Sequence, residues 1–185
     1  CDSYATSGHK WLGASHGTGI LYIRADRMDE VTPTEVGAHT DSAYEIPSRY
    51  DYHPSARRFE AGTRDAAAVV GIRAAVRFMK QIGIDRVAER GWELARYLQE
   101  QLRDLPGVSI LTPNSKARSG AITAFKAEQV GYRNLYKALR EQYSLRCRLV
   151  SEQGLNAVRI STHIYNDIDD CDRVVEATRA ITQDV

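Results

Sequence analysis

Ser7-Gly8-His9-Lys10-Trp11-Leu12-Gly13, followed by Gly17-Thr18-Gly19-Ile20-Leu21-Tyr22-Ile23-Arg24, is the stretch whose reading decides the fold. Upstream of it, residues 1 to 6 read as a short buried strand that ends at the turn-prone pair Ser7-Gly8. Downstream, Gly17-Thr18-Gly19 leads into Ile20 to Ile23, whose β-branched and aromatic side chains favour a second strand. Lys10 therefore stands just past a strand end. In an extended segment residues two apart point the same way, so Ser7 and His9 can address one ligand group while Lys10 points elsewhere.

From Thr32 to Arg58 the chain reads as irregular, with Pro33, Pro47 and Pro54 and with Tyr44, Tyr50 and Tyr52. A structureless stretch of that length in a compact protein is usually functional or disordered, and a functional role is expected here. Helix signals follow. Thr63 is placed to cap a helix with Asp65 in its first turn, and Val69, Ile72, Val76 and Met79 recur at helical spacing. A second helix is predicted from about Asp85, with Leu94, Leu98, Leu102 and Leu105 on one face before Pro106-Gly107 stops it. Beyond it the pattern alternates: strands over 108–111 and 121–125, a helix over 132–142, strands over 145–150 and 157–164, and a last helix capped by Asp167. This second part predicts an α+β unit around a small sheet, distinct from the first sixty residues.

Composition narrows the classes. With 43% hydrophobic and 26% charged residues, the chain sits near the averages for globular proteins, which argues against disorder or a fibrous repeat. Lys plus Arg (25) nearly balances Asp plus Glu (24), so there is no electrostatic reason to expect nucleic acid or an anionic membrane as partner. A small-molecule substrate fits better. No apolar run approaches the roughly 20 residues that a membrane span needs. Cys1, Cys147 and Cys171 are far apart and show no metal-ligand or disulfide-framework spacing, so no metal is expected and a reducing, cytoplasmic setting is. The opening Cys1-Asp2-Ser3-Tyr4 reads like the middle of a strand, which suggests a fragment.

The Lys10 segment resembles the cofactor-lysine signature of the class V aminotransferase family, the pyridoxal-phosphate-dependent enzymes of fold type I that include cysteine desulfurases, selenocysteine lyases and isopenicillin N epimerase-like proteins. Two further stretches arrive in the family's order: Arg58-Phe59-Glu60-Ala61-Gly62-Thr63 before a helix, and Val158-Arg159-Ile160-Ser161-Thr162-His163-Ile164-Tyr165-Asn166 before the last helix. The resemblance implies an α/β protein overall. Residues 1–63 would be the remainder of a large cofactor-binding domain, 64–84 a connecting helix, and 85–185 an α+β carboxy-terminal small domain. It implies pyridoxal 5'-phosphate as cofactor, carried by Lys10 as a Schiff base. An amine attacks an aldehyde only when uncharged, which calls for a neighbouring positive charge or partial desolvation around that lysine. Once freed by an amino-acid substrate, Lys10 would serve as general base. Ser7 and His9 would hold the phosphate; read without the resemblance, they are a turn hydroxyl and a core histidine. Thr63 is both a helix cap and, by resemblance, a phosphate ligand of the neighbouring protomer, which implies a homodimer. Arg159, alternating with Val158 and Ile160, should share the polar face of its strand with Ser161 and His163. By resemblance it grips the substrate carboxylate; otherwise it is a surface ion-pair arginine.

Two departures qualify the resemblance. Desulfurases of this family need a nucleophilic cysteine shortly before the arginine strand, where this chain has Ser151-Glu152-Gln153-Gly154-Leu155-Asn156. Cys147 is in phase with Leu145 and Leu149, and Cys171 with Val174, Thr178 and Ile181, so both read as core and a persulfide-forming reaction is disfavoured. The family's aspartate beneath the pyridine nitrogen and its ring-stacking residue precede the lysine by many positions, so low turnover is expected of these 185 residues alone. The leading class is half of an enzyme that performs epimerisation, C–S cleavage or transamination. A non-catalytic remnant that pairs with a complete subunit is the alternative, and an unrelated interaction module would have to treat three ordered motifs as coincidence. His16, His39, His53, His163 and the tyrosines are open candidates for a second base.

Overall fold

The computed structural model describes residues 1–183 and divides into two compact units, Cys1–Gln81 and Ile82–Val185. In the first unit, β1 (Ser3–Ser7) and β2 (Gly19–Ile23) pair antiparallel, with Ser7 opposite Gly19 and Ser3 opposite Ile23. This closes the loop that carries Lys10. Both strands form where the side chains predict, but β1 is not a buried strand: it has β2 as its one neighbour, and Tyr4 is 57% exposed. The 32–58 stretch also departs from expectation. It holds a hairpin of β3 (Asp41–Glu45) and β4 (Arg49–Tyr52), followed by a 3-10 turn over Ala56–Phe59. Tyr50 and Tyr52 alternate along β4 with their rings in edge contact, and the Tyr50 hydroxyl meets that of the buried Thr40.

Helix α1 (Ala66–Ile82) follows, and its cap is Asp65 rather than Thr63. The Asp65 carboxylate accepts from the Ala67 and Ala68 amides at 2.8 and 3.2 Å. A carboxylate one residue before the helix reaches these orphan amides directly and also suits the positive end of the helix dipole, so it outcompetes a hydroxyl two residues further back.

In the second unit α2 (Ile84–Arg103), α3 (Tyr132–Glu141) and α4 (Ile168–Gln183) pack with an antiparallel sheet of order β5 (Val108–Ile110), β6 (Ile122–Ala127), β8 (Ala157–Ser161), β7 (Arg148–Val150). Leu94, Leu98 and Leu102 of α2 are completely buried against Phe125, Val158, Leu135 and Leu139, and Leu105 continues the stripe from the turn beyond the helix. Gly91 permits that approach: a Cβ there would sit 2.8 Å from the Ala121 methyl carbon. Asp167 accepts from the Asp170 amide at 2.9 Å and caps α4 as expected. The last two strands are shorter than the sequence pattern suggested. Leu145 to Cys147 precede β7, and β8 ends at Ser161, so His163 lies beyond the strand and is not a member of its polar face.

Candidate functional site

The Lys10 loop is held from inside. The Thr18 carbonyl, with two lone pairs, accepts from the Gly8 amide at 2.9 Å and from His9 Nδ1 at 3.0 Å. The Gly8 carbonyl accepts from the Ala14 amide, and the Lys10 carbonyl from that of Gly13. Gly8 is buried under Thr18, where a Cβ would fall 2.6 Å from Oγ1. The bond at His9 settles its tautomer: a carbonyl only accepts, so Nδ1 carries the proton. In the neutral ring Nε2 is then an acceptor, and it donates only when the imidazole is doubly protonated. The His16 ring stands edge-on to that of His9 at 5.1 Å.

Lys10 is exposed on this turn. The partial desolvation expected of a cofactor lysine is therefore not supplied by these residues, because the loop folds its backbone inward around Gly8 and leaves the lysine in water. Ser7, the last residue of β1, and Thr63 do come together: both line a cavity of about 910 Å³, along with Thr18 and Arg64 and apolar groups such as Ala68 and Ile72. His9 and Lys10 are not among its lining residues. Because Asp65 caps α1, the Thr63 hydroxyl is not consumed by the helix. Two hydroxyls and a guanidinium among the lining residues are donors of the kind a phosphate takes, in a cavity of ligand size. On that chemistry the residues fit the phosphate end of the cofactor.

Arg159 belongs to the other unit. It is half-buried on β8, opposite Ala124 of β6 and Arg148 of β7, while Val158 and Ile160 on the other face enter the core. Burial, reinforced by the neighbouring Arg148 charge and opposed by Glu152, pulls its guanidinium below the usual arginine range. Among the described residues its Nε is buried without a hydrogen-bond partner. An arginine in this state is suited to an incoming anion. His163 is buried and stacked on Tyr165 at 4.8 Å, and its backbone amide donates to the Asn166 side chain.

Neither Cys147 nor Cys171 is set up as a nucleophile. Burial raises the Cys147 thiol against a weaker opposing effect of Arg140, and it drives Cys171 up to about 11, with Asp170 and Asp172 adding to the shift. Residues 152–154 form a 3-10 turn without sulfur. Sequence reasoning gave no role to Thr18 and Arg148, and it placed Asp65 in the first helical turn rather than at the cap. Thr18 carries a local signal, a hydroxyl residue between two glycines; Arg148 becomes significant only through a pairing across strands.

With this geometry described, comparison with known proteins defines the class. The family model for aminotransferase class-V matches residues 1–174. The chain belongs to that family, whose enzymes depend on pyridoxal phosphate. It is 31% identical to isopenicillin N epimerase of Streptomyces clavuligerus over 193 residues, covering 98% of this chain and 48% of the epimerase. The fold matches an apo cysteine desulfurase from Thermococcus onnurineus NA1 with a TM-score of 0.87 at 23% identity, over 100% of this chain and 48% of that one. It also matches a variant of the cystine C–S lyase C-DES that has glycine covalently linked to its pyridoxal phosphate, with a TM-score of 0.83 at 24% identity, over 96% and 46% respectively. The chain thus spans about half the length of the relatives it matches, and its fold is that part of a fold-type-I structure.

Proposed function

We propose that the chain provides the cofactor-lysine half of a pyridoxal-phosphate enzyme acting on an amino acid by epimerisation, C–S cleavage or transamination. The observation that carries this reading is the loop between β1 and β2, which presents Lys10 three residues after Ser7, a hydroxyl that lines a cavity of ligand size. When bound, the cofactor supplies a ring that draws electrons from the substrate's α-carbon. Lys10 Nζ would hold the cofactor covalently and, as a free amine, would be the base for the α-proton. The Ser7 hydroxyl would donate to the phosphate held by its own chain and the Thr63 hydroxyl to that of the partner, and His9 would add Nε2 when its ring is doubly protonated. Arg159 orients the substrate through two parallel hydrogen bonds to its α-carboxylate.

In this reading residues 1–63 are the remainder of the large domain, 64–84 the connecting helix and 85–185 the small domain. The protein works in the cytoplasm as a homodimer in which Thr63 reaches the partner's phosphate. The exposed apolar side chains Tyr4, Leu21, Val69 and Val70 on the first unit support a surface that further polypeptide covers. Among the described residues no helix is long and apolar enough to cross a membrane. The raised thiols of Cys147 and Cys171 support a reaction without a cysteine nucleophile.

The test is an absorbance spectrum of the chain with added pyridoxal phosphate, before and after borohydride, beside Lys10→Ala. A visible-edge band that reduces onto Lys10 is expected. A band of equal strength in Lys10→Ala would sink the assignment.

A further inference from the structure

Arg148 and Arg159 are direct cross-strand partners on β7 and β8. Residues so paired carry their side chains on one face about 5 Å apart at Cβ, and like charges there repel. The described residues relieve this only in part. Glu152 pairs with Arg148, and its carboxyl is held low by its own backbone amide, with Arg148 and the Ser151 amide helping. Glu152 acts on Arg159 only at longer range, no carboxylate among the described residues forms an ion pair with it, and its buried Nε is left without a hydrogen bond. On the same sheet face Lys126 of β6 stands diagonal to Arg159, while Ala124 and Ser161 beside Arg159 are too small to fill the space around its guanidinium. Three cations share this face with a single nearby carboxylate, and that carboxylate belongs to a side chain 53% exposed that can leave.

We propose that Arg148 is a specificity residue for a second acidic group, so that the substrate is an amino acid whose side chain itself carries a carboxylate. Arg148 exchanges Glu152 for that group while Arg159 holds the α-carboxylate. The inference rests on the reading of Arg159 given under Proposed function. It gives the arginine pair a use: without substrate the Glu152 carboxylate alone serves both guanidinium groups, and with it two separated carboxylates hold one guanidinium each while Glu152 is released to solvent.

The experiment follows the Arg148 and Arg159 side-chain Nε–H signals by NMR in the chain, titrated with propionate or glutarate at constant ionic strength. Glutarate is expected to bind about tenfold more tightly than propionate, the worth of one added charge-assisted pair. Arg148→Gln should abolish that preference while leaving propionate binding to Arg159 within about twofold, and Glu152→Gln, which frees Arg148, should strengthen glutarate further. Arg148 is more than half exposed, so its replacement leaves the core intact, and the persisting Arg159 signal reports this. Equal affinity for the two acids would overturn the second-acid role and leave Arg159 as anchor, and a loss of both on Arg148→Gln would overturn it by showing that Arg148 itself holds the single carboxylate. If neither acid shifts the Arg159 signal, the anchor reading itself fails, and the inference with it.

Discussion

At His9, a carbonyl on one side of the ring dictates what the other side offers. Thr18 fixes the proton on Nδ1, so the resemblance-based role of His9 as phosphate ligand acquires a condition, a doubly protonated ring, that no motif could reveal. Cys171 shows the same dependence on surroundings. It was legible as core from its spacing with Val174, Thr178 and Ile181, and it lies 2% exposed with Sγ facing the Leu94 carbonyl. Its thiol, which ionises near 9 when unperturbed, is pushed by burial to about 11. A raised acid keeps its proton longer in the folded chain than in the unfolded one. Its contribution is therefore fully present below about pH 9 and is lost as pH rises toward 11. Urea unfolding at about pH 8.5 and about pH 10.5 should show the native chain losing about 2 kcal/mol more than Cys171→Ala over that interval. Parallel losses in the two proteins would mean that the thiol remains protonated for some other reason or ionises in both states alike.

At the scale of elements, legibility followed the strength of periodic patterns. The leucine stripe of α2 announces itself because Leu94, Leu98 and Leu102 repeat at one helical turn, and all three are fully buried. The β3–β4 hairpin was illegible because its strands, Asp41–Glu45 and Arg49–Tyr52, are short and carry no aliphatic stripe, its tyrosines Tyr44, Tyr50 and Tyr52 gather on one face only through the pairing, and prolines nearby read as breakers. Residues 1 to 6 were legible as a strand but not as an exposed one, since the turn-prone Ser7-Gly8 marks where a strand ends and says nothing of what covers it. The three motifs placed the candidate site residues, while the cap of α1 required geometry: Thr63 and Asp65 are both plausible from type, and only the 2.8 Å and 3.2 Å bonds to Ala67 and Ala68 decide for Asp65. Asp65→Ala should therefore cost about 1 kcal/mol of unfolding free energy, against a few tenths for Thr63→Ala. In thermal melts the two variants should rank in that order. The reverse order would return the cap to Thr63 and remove the argument that its hydroxyl is available to a phosphate.

At the scale of the whole molecule, the two units differ in how much they bury for themselves. Among the described residues of Ile82–Val185, seven large apolar side chains, Leu94, Leu98, Leu102, Phe125, Leu135, Leu139 and Val158, reach zero exposure in one cluster. In Cys1–Gln81 the most buried apolar groups, Ile23, Met28, Ala75 and Met79, keep 6 to 8%, while Tyr4, Leu21, Val69 and Val70 lie open. Burial of apolar surface is the main favourable term in folding, so stability should be distributed unequally along the chain. Native-state hydrogen exchange tests this. Amides of α2, β6 and β8 should be the slowest, and those of β1 and β2 should exchange through low-energy local opening. Leu98→Ala, which empties a fully enclosed site, should lower protection across the second unit by about 2–5 kcal/mol and leave β1 and β2 unchanged. If β1 and β2 lose protection by the same amount, the units unfold as one, and the weakness assigned to the Lys10-bearing unit is not its own. If they hold, then the site's apolar surroundings in the first unit are what an additional covering surface must stabilise, and adding pyridoxal phosphate together with such a surface should slow exchange at Ser7 and Gly8 before anywhere in the second unit.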